Sequence, residues 1–445
     1  IKSVAERALG TPPSRSSGAI NDLLLRREPR FKQPRNAGSV APGETIDALV
    51  ADLLNLDHSY FAVQGPPGTG KTYTSAAAIA RLVLQHGWKV GVVAQSHATV
   101  ENLLAKLAEF GVPSTVMGKK PKGGQEGRIT PWTKLTDTKD QNLFITEPGG
   151  RVLGGTAWTF TNANVVSPGS LDLLVIDEAG QFSMANTIGV SAATKNLLLV
   201  GDPQQLPQVS QALHPEPVNE AALDLIMGGS RVLDPKFGHF LGQTWRMSAE
   251  LTDRVSDLAY EGKLESHPIT ADRHLDGLTP GIHAVPMPTL GYSTENYPEA
   301  QQVVRIVQDL LGRQWTSSKK NATTTELREQ DFIVITPYNA QAGVIKAALQ
   351  AAGFADVAVG TVDKFQGKEA VISITSLAAS SGAEAARGLK FVLMRNRINV
   401  AVSRGKWASF VVFSPHLLED LPRTPQDLVE LGDFIKLLAY HEVSN

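Results

Sequence analysis

Cysteine is absent from the 445 residues. Its absence excludes disulfide bonds, cysteine-ligated zinc, iron–sulfur clusters and thiol nucleophiles, and it favours a reducing compartment, so we expect a cytoplasmic protein. No apolar run approaches the ~20 residues that a membrane-spanning helix needs. Hydrophobic residues nevertheless make up 42% of the chain and charged residues 19%, which is typical of a folded globular protein rather than a disordered one.

An excess of one charge sign is also missing, because the formal net charge is −2 and the pI is about 6.6. Any positive charge that binds nucleic acid must therefore be gathered in a groove rather than spread over the surface. A basic stretch, RREPRFKQPR, lies at residues 26–35 and is interrupted by prolines. We interpret residues 1–42 as an extended arm or linker. The five basic residues of the stretch 26–35 either contact phosphates or belong to a solvated tail.

From about Gly43 the sequence alternates between strand and helix patterns, and this alternation restarts near Asp331. Short continuous apolar runs predict strands buried on both faces, and apolar residues spaced i, i+3, i+4, i+7 predict helices. The predicted strands are 60–64, 89–95, 171–176, 196–200, 332–336, 357–362, 371–377 and 409–414. The main helices are 72–85 and 340–350, with another that carries Val100, Leu103, Leu104 and Leu107 and stops at Gly111. The pattern predicts an α/β fold with parallel sheets in two tandem domains, 43–232 and 233–445.

Two segments interrupt these domains without strong periodicity. The first, Val112–Gly150, is rich in Lys, Gly and Thr and is too short for more than a small hairpin or lid. The second, Gln314–Gln330, is predicted to be a polar loop.

A glycine-rich turn between a predicted strand and a predicted helix carries the first chemistry. GPPGTGKT fits G-x-x-x-x-G-K-[ST], in which backbone N–H groups and the helix N-terminus bind phosphates. Lys71 is expected to reach the β and γ phosphates of a nucleotide, and the Thr72 hydroxyl to hold Mg²⁺. The predicted cofactor-binding residues here are Gln64, Gly65, Pro66, Pro67, Gly68, Thr69, Gly70, Lys71 and Thr72.

Two buried strands deliver polar residues to the same predicted site. LLVIDEAGQ places Asp177, a candidate Mg²⁺ ligand, and Glu178, a candidate general base, after one strand. LLLVGDPQQLP places Gln205 after the next, where a glutamine can sense the γ-phosphate. An Asp-Glu pair or a proline-rich turn alone is usually structural, but both follow a phosphate loop here and predict ATP or GTP hydrolysis.

The ordered set GPPGTGKT, DEAGQ and GDPQQLP resembles the first RecA-like domain of superfamily 1 helicases. QTWRM, YEGKL, ITPYNAQ, VDKFQGKE and NVAVSRGK extend the resemblance over about residues 45–415. It is closest to branch 1B, which contains the nonsense-mediated-decay helicase, senataxin and the nuclease-helicases of Okazaki-fragment processing. The resemblance implies two tandem RecA-like P-loop NTPase domains that use ATP and Mg²⁺.

The resemblance also implies roles for single residues. Trp245 takes the position of an aromatic residue that stacks on adenine, and Arg246 and Arg404 take those of two arginines that reach the γ-phosphate. Phosphate, ribose and interface contacts fall to Gln366, Gly367 and Glu369. The implied nucleic-acid contacts are Ser96, His97, Ala98, Gly155, Thr156, Pro337, Tyr338 and Thr361, and His97 has no metal-ligand partner at useful spacing.

The sequence departs from the family in one respect. A glutamine that recognises adenine about 17 residues before the phosphate loop is absent, and Glu44, Thr45 and Asp47 occupy that region instead. Adenine specificity is therefore less secure than hydrolysis, although Trp245 and Gln64 are expected to compensate in part. The segment between Met247 and Ile335 leaves little room for the large insertion of branch 1A. This shortness favours branch 1B, whose members typically move 5′→3′.

The function indicated is an ATP-dependent 5′→3′ helicase or translocase on single-stranded DNA, in a bacterial protein. Two alternatives stay open: a helicase acting on RNA or on RNA–DNA hybrids, and a nucleic-acid-gated ATPase switch without processive unwinding. Because the chain begins at Ile1 and related cores often follow a RecB-like nuclease, a fused or associated nuclease domain is a further expectation.

Overall fold

The computed structural model describes residues 18–35, 43–124, 127–208, 214, 217–218, 220–317, 324–365, 367–422 and 424–438. Among these residues no helix combines the length and apolar character needed to cross a membrane. The chain divides into two units. The first comprises the residues up to Gly65 with Gly70–Pro203 and Pro207–Leu241, and the second comprises Pro66–Thr69, Gln204–Leu206 and the residues from Gly242 onward.

One eight-stranded sheet, parallel at every pairing, organises the first unit. The spatial order is β4-β3-β5-β2-β6-β7-β1-β8. Because all strands run in one direction, the loops that follow them emerge at a single edge, called the carboxyl edge below. The strands are β1 Tyr60–Gln64, β2 Lys89–Val93, β3 Met117–Lys119, β4 Thr133–Lys134, β5 Arg151–Gly155, β6 Leu171–Asp177, β7 Thr194–Gly201 and β8 Gly238–Phe240.

Helices cover both faces of this sheet. Along β1, Tyr60 and Ala62 pack into one core while Phe61 and Val63 pack into the other. Strands buried on both faces explain the continuous apolar runs of the sequence. The helices are α1 Ala19–Leu24, α2 Thr45–Asn55, α3 Lys71–His86, α4 His97–Glu109, α5 Thr138–Thr146, α6 Ala157–Thr161, α7 Met184–Ser191 and α8 Ala222–Met227, with a 3₁₀ turn at Ser114–Val116.

The second unit contains a five-stranded parallel sheet of order β12-β18-β17-β15-β16. Its strands are β12 Gly281–Pro286, β15 Phe332–Thr336, β16 Ala358–Thr361, β17 Ala370–Ser376 and β18 Gly405–Phe413. Its helices are α9 Ala249–Ala259, α10 Tyr297–Leu310, α11 Asn339–Ala351, α12 Leu389–Leu393, α13 Arg395–Val402 and α14 Pro425–Leu438, with 3₁₀ turns at Pro268–Asp272, Glu329–Asp331, Val362–Phe365 and Pro415–Leu417. The prediction of an α/β fold with parallel sheets and two RecA-like domains is confirmed.

Two small sheets complete the second unit. One pairs β9 Gln243–Thr244 with β10 Glu265–Ser266, and the other joins β11 His274–Leu275, β13 Gln314–Thr316 and β14 Thr324–Glu326 in antiparallel order. The prediction of a polar loop over 314–330 was therefore wrong at β13 and β14, which are strands. Its two large apolar residues, Trp315 and Leu327, are 6% and 2% exposed and belong to the core, and two such residues gave the pattern too little signal.

The segment 112–150 is not a hairpin or lid. Strands β3 and β4 add to the first sheet in parallel beside β5, and α5 packs against it. Trp132, Leu135 and Phe144 are buried in the cores of the first unit. A Cβ on Gly118 would lie 2.8 Å from side-chain atoms of Leu135 and Phe144, so glycine allows the close packing here. Strands of two and three residues are too short to show periodicity.

The described part of the predicted arm is folded rather than extended. Leu23 of α1 lies in the core of the first unit, and the buried Asp22 accepts hydrogen bonds from Arg30 at 2.8 Å and from the Ser59 hydroxyl at 2.7 Å. Arg35 pairs with Asp52 at 2.9 Å. These arginines hold the fold together instead of forming a solvated tail. Residues 1–17 and 36–42 lie outside the described residues.

The change from the first unit to the second comes between Leu241 and Gly242, nine residues after the boundary expected between 232 and 233. Strand β8 accounts for the difference, because it pairs with β1 at the edge of the first sheet. The pattern offered no signal for a strand of three residues.

A buried carboxyl group anchors the carboxyl end of β17 in the second unit. Glu299 is fully buried and accepts hydrogen bonds from the Ser376 hydroxyl at 2.6 Å and from the Ala378 N–H at 3.0 Å. Asn296 and Gln341 continue this network through a 2.6 Å bond from the Asn296 N–H to the Gln341 side chain. Burial raises the pKa of Glu299 to about 7, and its hydrogen bonds oppose that shift only in part.

We predict that this carboxyl group makes stability depend on pH. The folded-state pKa lies above the ordinary value of 4.5, so the stabilising contribution is complete below about pH 4.5 and is lost as the pH rises to about 7. The loss is on the order of 3 kcal/mol. Urea unfolding at pH 5 and pH 8 should show the decline in the wild type and a smaller one in Glu299→Gln. An equal decline in both proteins would contradict the assignment, and Glu295→Gln, at an exposed carboxylate nearby, should behave like the wild type.

Candidate nucleotide-binding and nucleic-acid-binding residues

The phosphate loop connects β1 to α3, as predicted. The Gly65 N–H donates to the Gly201 carbonyl at 3.0 Å, which ties the start of the loop to the end of β7. Gly70 precedes α3 with φ of 81°, a left-handed conformation that favours glycine. Lys71 begins the helix, and its ammonium group donates to the carbonyl of Gly65. The ammonium group therefore folds back over the loop, which is where a phosphate-binding lysine belongs.

Gln64 does not have the expected role. It is fully buried, its Oε1 accepts from the Leu233 N–H at 2.7 Å, and its Nε2 donates to the Arg231 carbonyl at 2.9 Å. Both ends of the amide are thus used by backbone groups of the first unit. The prediction that Gln64 helps to recognise adenine was wrong, because a neighbouring segment that is distant in sequence occupies its side chain.

Asp177, the last residue of β6, is 5% exposed. Burial raises its pKa to about 7, and the charge of Glu178 adds to the rise, whereas the Glu178 N–H and the charge of Lys71 lower it. A buried carboxyl group in need of positive charge suits a divalent cation. No group of three or more histidine or acidic side chains that could hold a metal ion occurs within the described residues.

Glu178 is one of five non-glycine residues with positive φ in the described chain, at 56°. The turn that follows it is packed against the end of β7: the Ala179 N–H donates to the Val200 carbonyl at 2.8 Å. A Cβ on Gly201 would lie 2.8 Å from the backbone nitrogens of Ala179 and Gly180. Strain in a non-glycine residue persists only where the surroundings impose it, so this close approach fixes where the carboxylate of Glu178 leaves the chain.

Gln205 and Arg404 meet within the second unit. Arg404 is 1% exposed, and its guanidinium donates to the Val400 carbonyl at 3.1 Å, the Lys368 carbonyl at 3.2 Å and the Gln205 Oε1 at 3.5 Å. Asn399, which no single motif position had suggested, donates to the Gln204 carbonyl at 2.8 Å. The two predicted γ-phosphate residues are therefore linked directly, with Asn399 holding the segment that carries Gln205.

Arg246 is held by a network of charges. Its Nε donates to Glu369 at 2.9 Å and its guanidinium donates to the Ser403 carbonyl at 3.1 Å. Lys406 pairs with the other oxygen of Glu369 at 2.9 Å. Burial alone would raise the pKa of Glu369, but the charges and hydrogen bonds of Arg246 and Lys406 lower it. Glu369 therefore holds the charged side chains of Arg246 and Lys406 in place.

Trp245 is 50% exposed and stacks on His267, with ring centroids 3.5 Å apart and planes at 18°. Its carbonyl accepts from Arg273 at 2.9 Å, and the His267 Nδ1 accepts from the Ile269 N–H at 3.1 Å. The indole is thus held in one orientation. His267 was not identified from the sequence, because a single histidine after a short strand carries no motif.

Gly68 packs against the chain beside Trp245, and both belong to the second unit. Its carbonyl accepts from the Trp245 N–H at 2.9 Å. Gly68 has φ of 75°, and a Cβ there would lie 2.4 Å from the Arg246 Cβ and 2.6 Å from the Thr244 Oγ1. Gly367 is exposed with φ of 77°, and Gln366 lies outside the described residues.

The nucleic-acid residues expected in the first unit lie together at the carboxyl edge. Val93 of β2 pairs with Gly155 of β5, so the residues that follow these strands are neighbours. Ser96 accepts from the Thr99 N–H at 3.1 Å and caps α4, while Ala98 is exposed and Thr156 half-buried. Burial lowers the pKa of His97, and the charge of Lys119 lowers it further.

The residues expected in the second unit follow β15 and β16, which pair from Ile333↔Ala358 to Thr336↔Thr361. Pro337 and Thr361 are half-buried. Tyr338 is 7% exposed, and its ring packs against Phe391 at 5.7 Å between centroids. The expected side-chain contact of Tyr338 with nucleic acid is therefore not supported, because the ring belongs to the interior. Pro337 and Thr361 remain predicted contacts.

Comparison with known proteins agrees with these features. Two family models, each described as an AAA domain, match residues 47–215 and 230–416. The Gallus gallus DNA replication ATP-dependent helicase/nuclease DNA2 is 27% identical, over 88% of this chain and 39% of that protein. The Schizosaccharomyces pombe ATP-dependent helicase upf1 is 26% identical, over 93% of this chain and 50% of that protein. The chain thus spans two fifths to one half of the length of these relatives.

Among solved structures, an arterivirus nonstructural protein 10 (helicase) with DNA matches 89% of this chain and 67% of that chain. The TM-score is 0.44 and the identity is 16%, values too low to bear on function.

The first unit has a phosphate loop between a strand and a helix, and an Asp-Glu pair at the end of the buried strand β6 of the same sheet. The second unit has a parallel sheet and two buried arginines, Arg246 and Arg404. These features define a P-loop ATPase with two RecA-like domains. The sequence relatives narrow this class. The family models and these relatives support an ATP-hydrolysing helicase core that is similar to those of superfamily 1.

The space around Gly68 yields a prediction. Gly68→Ala should lower the rate of ATP hydrolysis at least about tenfold, because its Cβ meets the Arg246 Cβ at 2.4 Å and φ is 75°. Gly87→Ala is the matched control, with φ of 68° and no atom within 4 Å, and it should cost only about 1 kcal/mol of stability. Steady-state ATPase rates and unfolding curves measure both effects. A wild-type rate in Gly68→Ala would contradict the packing argument.

Proposed function

We propose that this chain is an ATP-driven helicase or translocase that moves 5′→3′ along single-stranded DNA. The observation that carries the proposal is the shared carboxyl edge of the first sheet. There β1 ends in the phosphate loop, β6 ends in Asp177, and β2 and β5 lead into Ser96 and Thr156. Because the nucleotide site and the nucleic-acid contacts lie on one edge, a change at the phosphates can alter the binding of the nucleic-acid strand.

The residues proposed for the chemistry of the site all lie in the described part of the chain. Lys71, Thr72 and Asp177 would hold ATP with Mg²⁺, whose charge would stabilise the phosphates and leave Asp177 ionised. Glu178, fixed by its strained turn, would orient and deprotonate the attacking water. Arg246 and Arg404 would supply positive charge to the transferring phosphoryl group, and Gln205 would report its presence through its bond to Arg404.

The strand contacts proposed are polar and backbone groups that read no sequence. The candidates are Ser96, His97, Ala98, Gly155 and Thr156 in the first unit, and Pro337 and Thr361 in the second. Such groups grip phosphates without discriminating bases. DNA is favoured over RNA because one relative is a DNA replication helicase/nuclease. An associated nuclease domain stays a prediction on the same ground.

Steady-state ATP hydrolysis, measured alone and with single-stranded DNA or RNA of equal length at fixed salt, tests this function. Strong stimulation by DNA and little by RNA is the expected result. Equal or greater stimulation by RNA would replace the proposal with an RNA or hybrid helicase. Full activity without either polymer would contradict coupling altogether.

The role of Glu178 gives a further prediction. Glu178→Gln should lower kcat by about 10²- to 10⁴-fold, because the amide cannot take the proton of the attacking water. ATP binding should persist, as measured by equilibrium titration with a fluorescent ATP analogue. Glu220→Gln is a suitable control, since Glu220 is half-buried beside the Ser183–Ala221 bridge and carries no proposed role. A Glu178→Gln protein with wild-type kcat would remove Glu178 from the mechanism.

The hydrogen bonds that the Gln64 side chain makes to the backbone lead to a prediction about base specificity. With its amide bound to backbone groups, recognition of the base would rest mainly on stacking against Trp245, and every base offers a stacking face. The kcat/KM for GTP should therefore lie within about tenfold of that for ATP. Trp245→Ala should raise KM for both nucleotides, by about 5- to 100-fold. A preference for ATP of a thousandfold or more would show that another group reads adenine.

A further inference from the structure

Trp158 is the most exposed large aromatic side chain of the described residues, at 85%. It lies on α6, which begins at Ala157 directly after Thr156. Strand β5 ends at Gly155, so the indole stands at the carboxyl edge next to the proposed strand contacts. A base can stack on an exposed aromatic face, and the nucleotide chemistry described above gives Trp158 no role.

The helix that carries Trp158 is firmly seated. Phe160, two residues on, is 2% exposed and belongs to a core of the first unit. The Thr159 N–H donates to the Thr156 carbonyl at 3.0 Å. A Cβ on Gly155 would lie 2.5 Å from the Thr159 Oγ1, so the turn is packed closely onto the end of β5. Trp158 is therefore presented to solvent on a rigid element, as a stacking surface requires.

Positive charge also lies at the carboxyl edge. Strand β3 pairs with β5, with Lys119 opposite Gly154, so the chain that follows Lys119 leaves the sheet at the same edge as the chain that follows β5. Lys120 and Lys122 on that stretch are exposed, and neither forms an ion pair within the described residues. Lys119 is instead buried and paired with Glu101 at 2.8 Å, which fixes the base of the stretch. The pKa of His97 is lowered mainly by burial, and the charges of Lys119 and Lys122 lower it further.

We propose that Trp158, Lys120 and Lys122 form a platform that binds single-stranded nucleic acid, with a base stacked on the indole and phosphates on the two lysines. It extends the proposed strand-binding edge outward to β5 and β3, and thereby gives a role to the segment 112–150. The inference rests on the proposed function. A single strand is the fitting ligand because its base faces are open, whereas the base faces of a duplex are already stacked.

The stacking half is tested with two oligonucleotides of equal length, one normal single-stranded DNA and one that carries abasic sugars throughout. In fluorescence anisotropy without nucleotide, Trp158→Ala should weaken binding of the normal strand by about 5- to 100-fold. It should leave the abasic strand unaffected, and Trp158→Phe should recover part of the loss. Leu84→Ala removes a half-exposed apolar side chain near the C-terminal end of α3 and should bind as the wild type does.

The phosphate half is tested by the salt dependence of binding. The double variant Lys120→Ala/Lys122→Ala should bind both strands more weakly, and the slope of log K against log salt should fall by about 0.7 per lost contact. Lys195→Ala, at the opposite end of a strand and paired with Asp172, should keep the wild-type slope.

The outcomes separate the platform from the proposed function. If the wild type binds single strands and polymer stimulates its ATPase, but Trp158→Ala binds both oligonucleotides as the wild type does, the platform is wrong and the function stands. An equal loss of affinity for the normal and abasic strands would also overturn stacking, since it would reflect a damaged fold. If the wild type binds neither DNA nor RNA, the proposed function fails and the platform with it.

Discussion

The common direction of the strands is the constraint on which the site depends. In the first sheet each loop after a strand has to emerge at the carboxyl edge, because all pairings are parallel. Residues separated by more than a hundred positions, such as Lys71 and Asp177, are thereby brought close enough for the charge of one to lower the pKa of the other. The backbone contact between Gly201 and the turn after Asp177 then sets the local geometry, since no side chain fits between them.

The acidic groups Glu369 and Asp177 have different charged surroundings. Glu369 in the second unit is satisfied by Arg246 and Lys406, so its surroundings are complete without a ligand. Asp177 has only a backbone N–H and a nearby lysine against full burial. A site that lacks positive charge in this way gains most from a bound cation, which agrees with the Mg²⁺ proposed at Asp177.

The sequence predicted correctly those features that depend on neighbouring residues. The phosphate loop, the strand at 60–64 and the helix capped by Gly70 depend on neighbouring residues, and all three lie where the sequence placed them. Several errors come from side-chain contacts that no local pattern shows. The Gln64 side chain is hydrogen-bonded to the chain at 231–233, the Tyr338 ring packs against Phe391, and Arg30 forms an ion pair with Asp22. Strands as short as β3 and β4, and a single histidine such as His267, leave no periodicity or motif to detect.

The central claim is that hydrolysis at this edge drives directed movement along a single strand. Strand displacement from partial DNA duplexes with either a 5′ or a 3′ single-stranded tail measures it most directly, with ATP present and Glu178→Gln as the inactive reference. The account predicts that ATP releases the complementary strand only when the tail is 5′ and that the variant releases none. Polymer-stimulated ATP hydrolysis without displacement from either duplex would contradict the claim and indicate a nucleic-acid-gated switch.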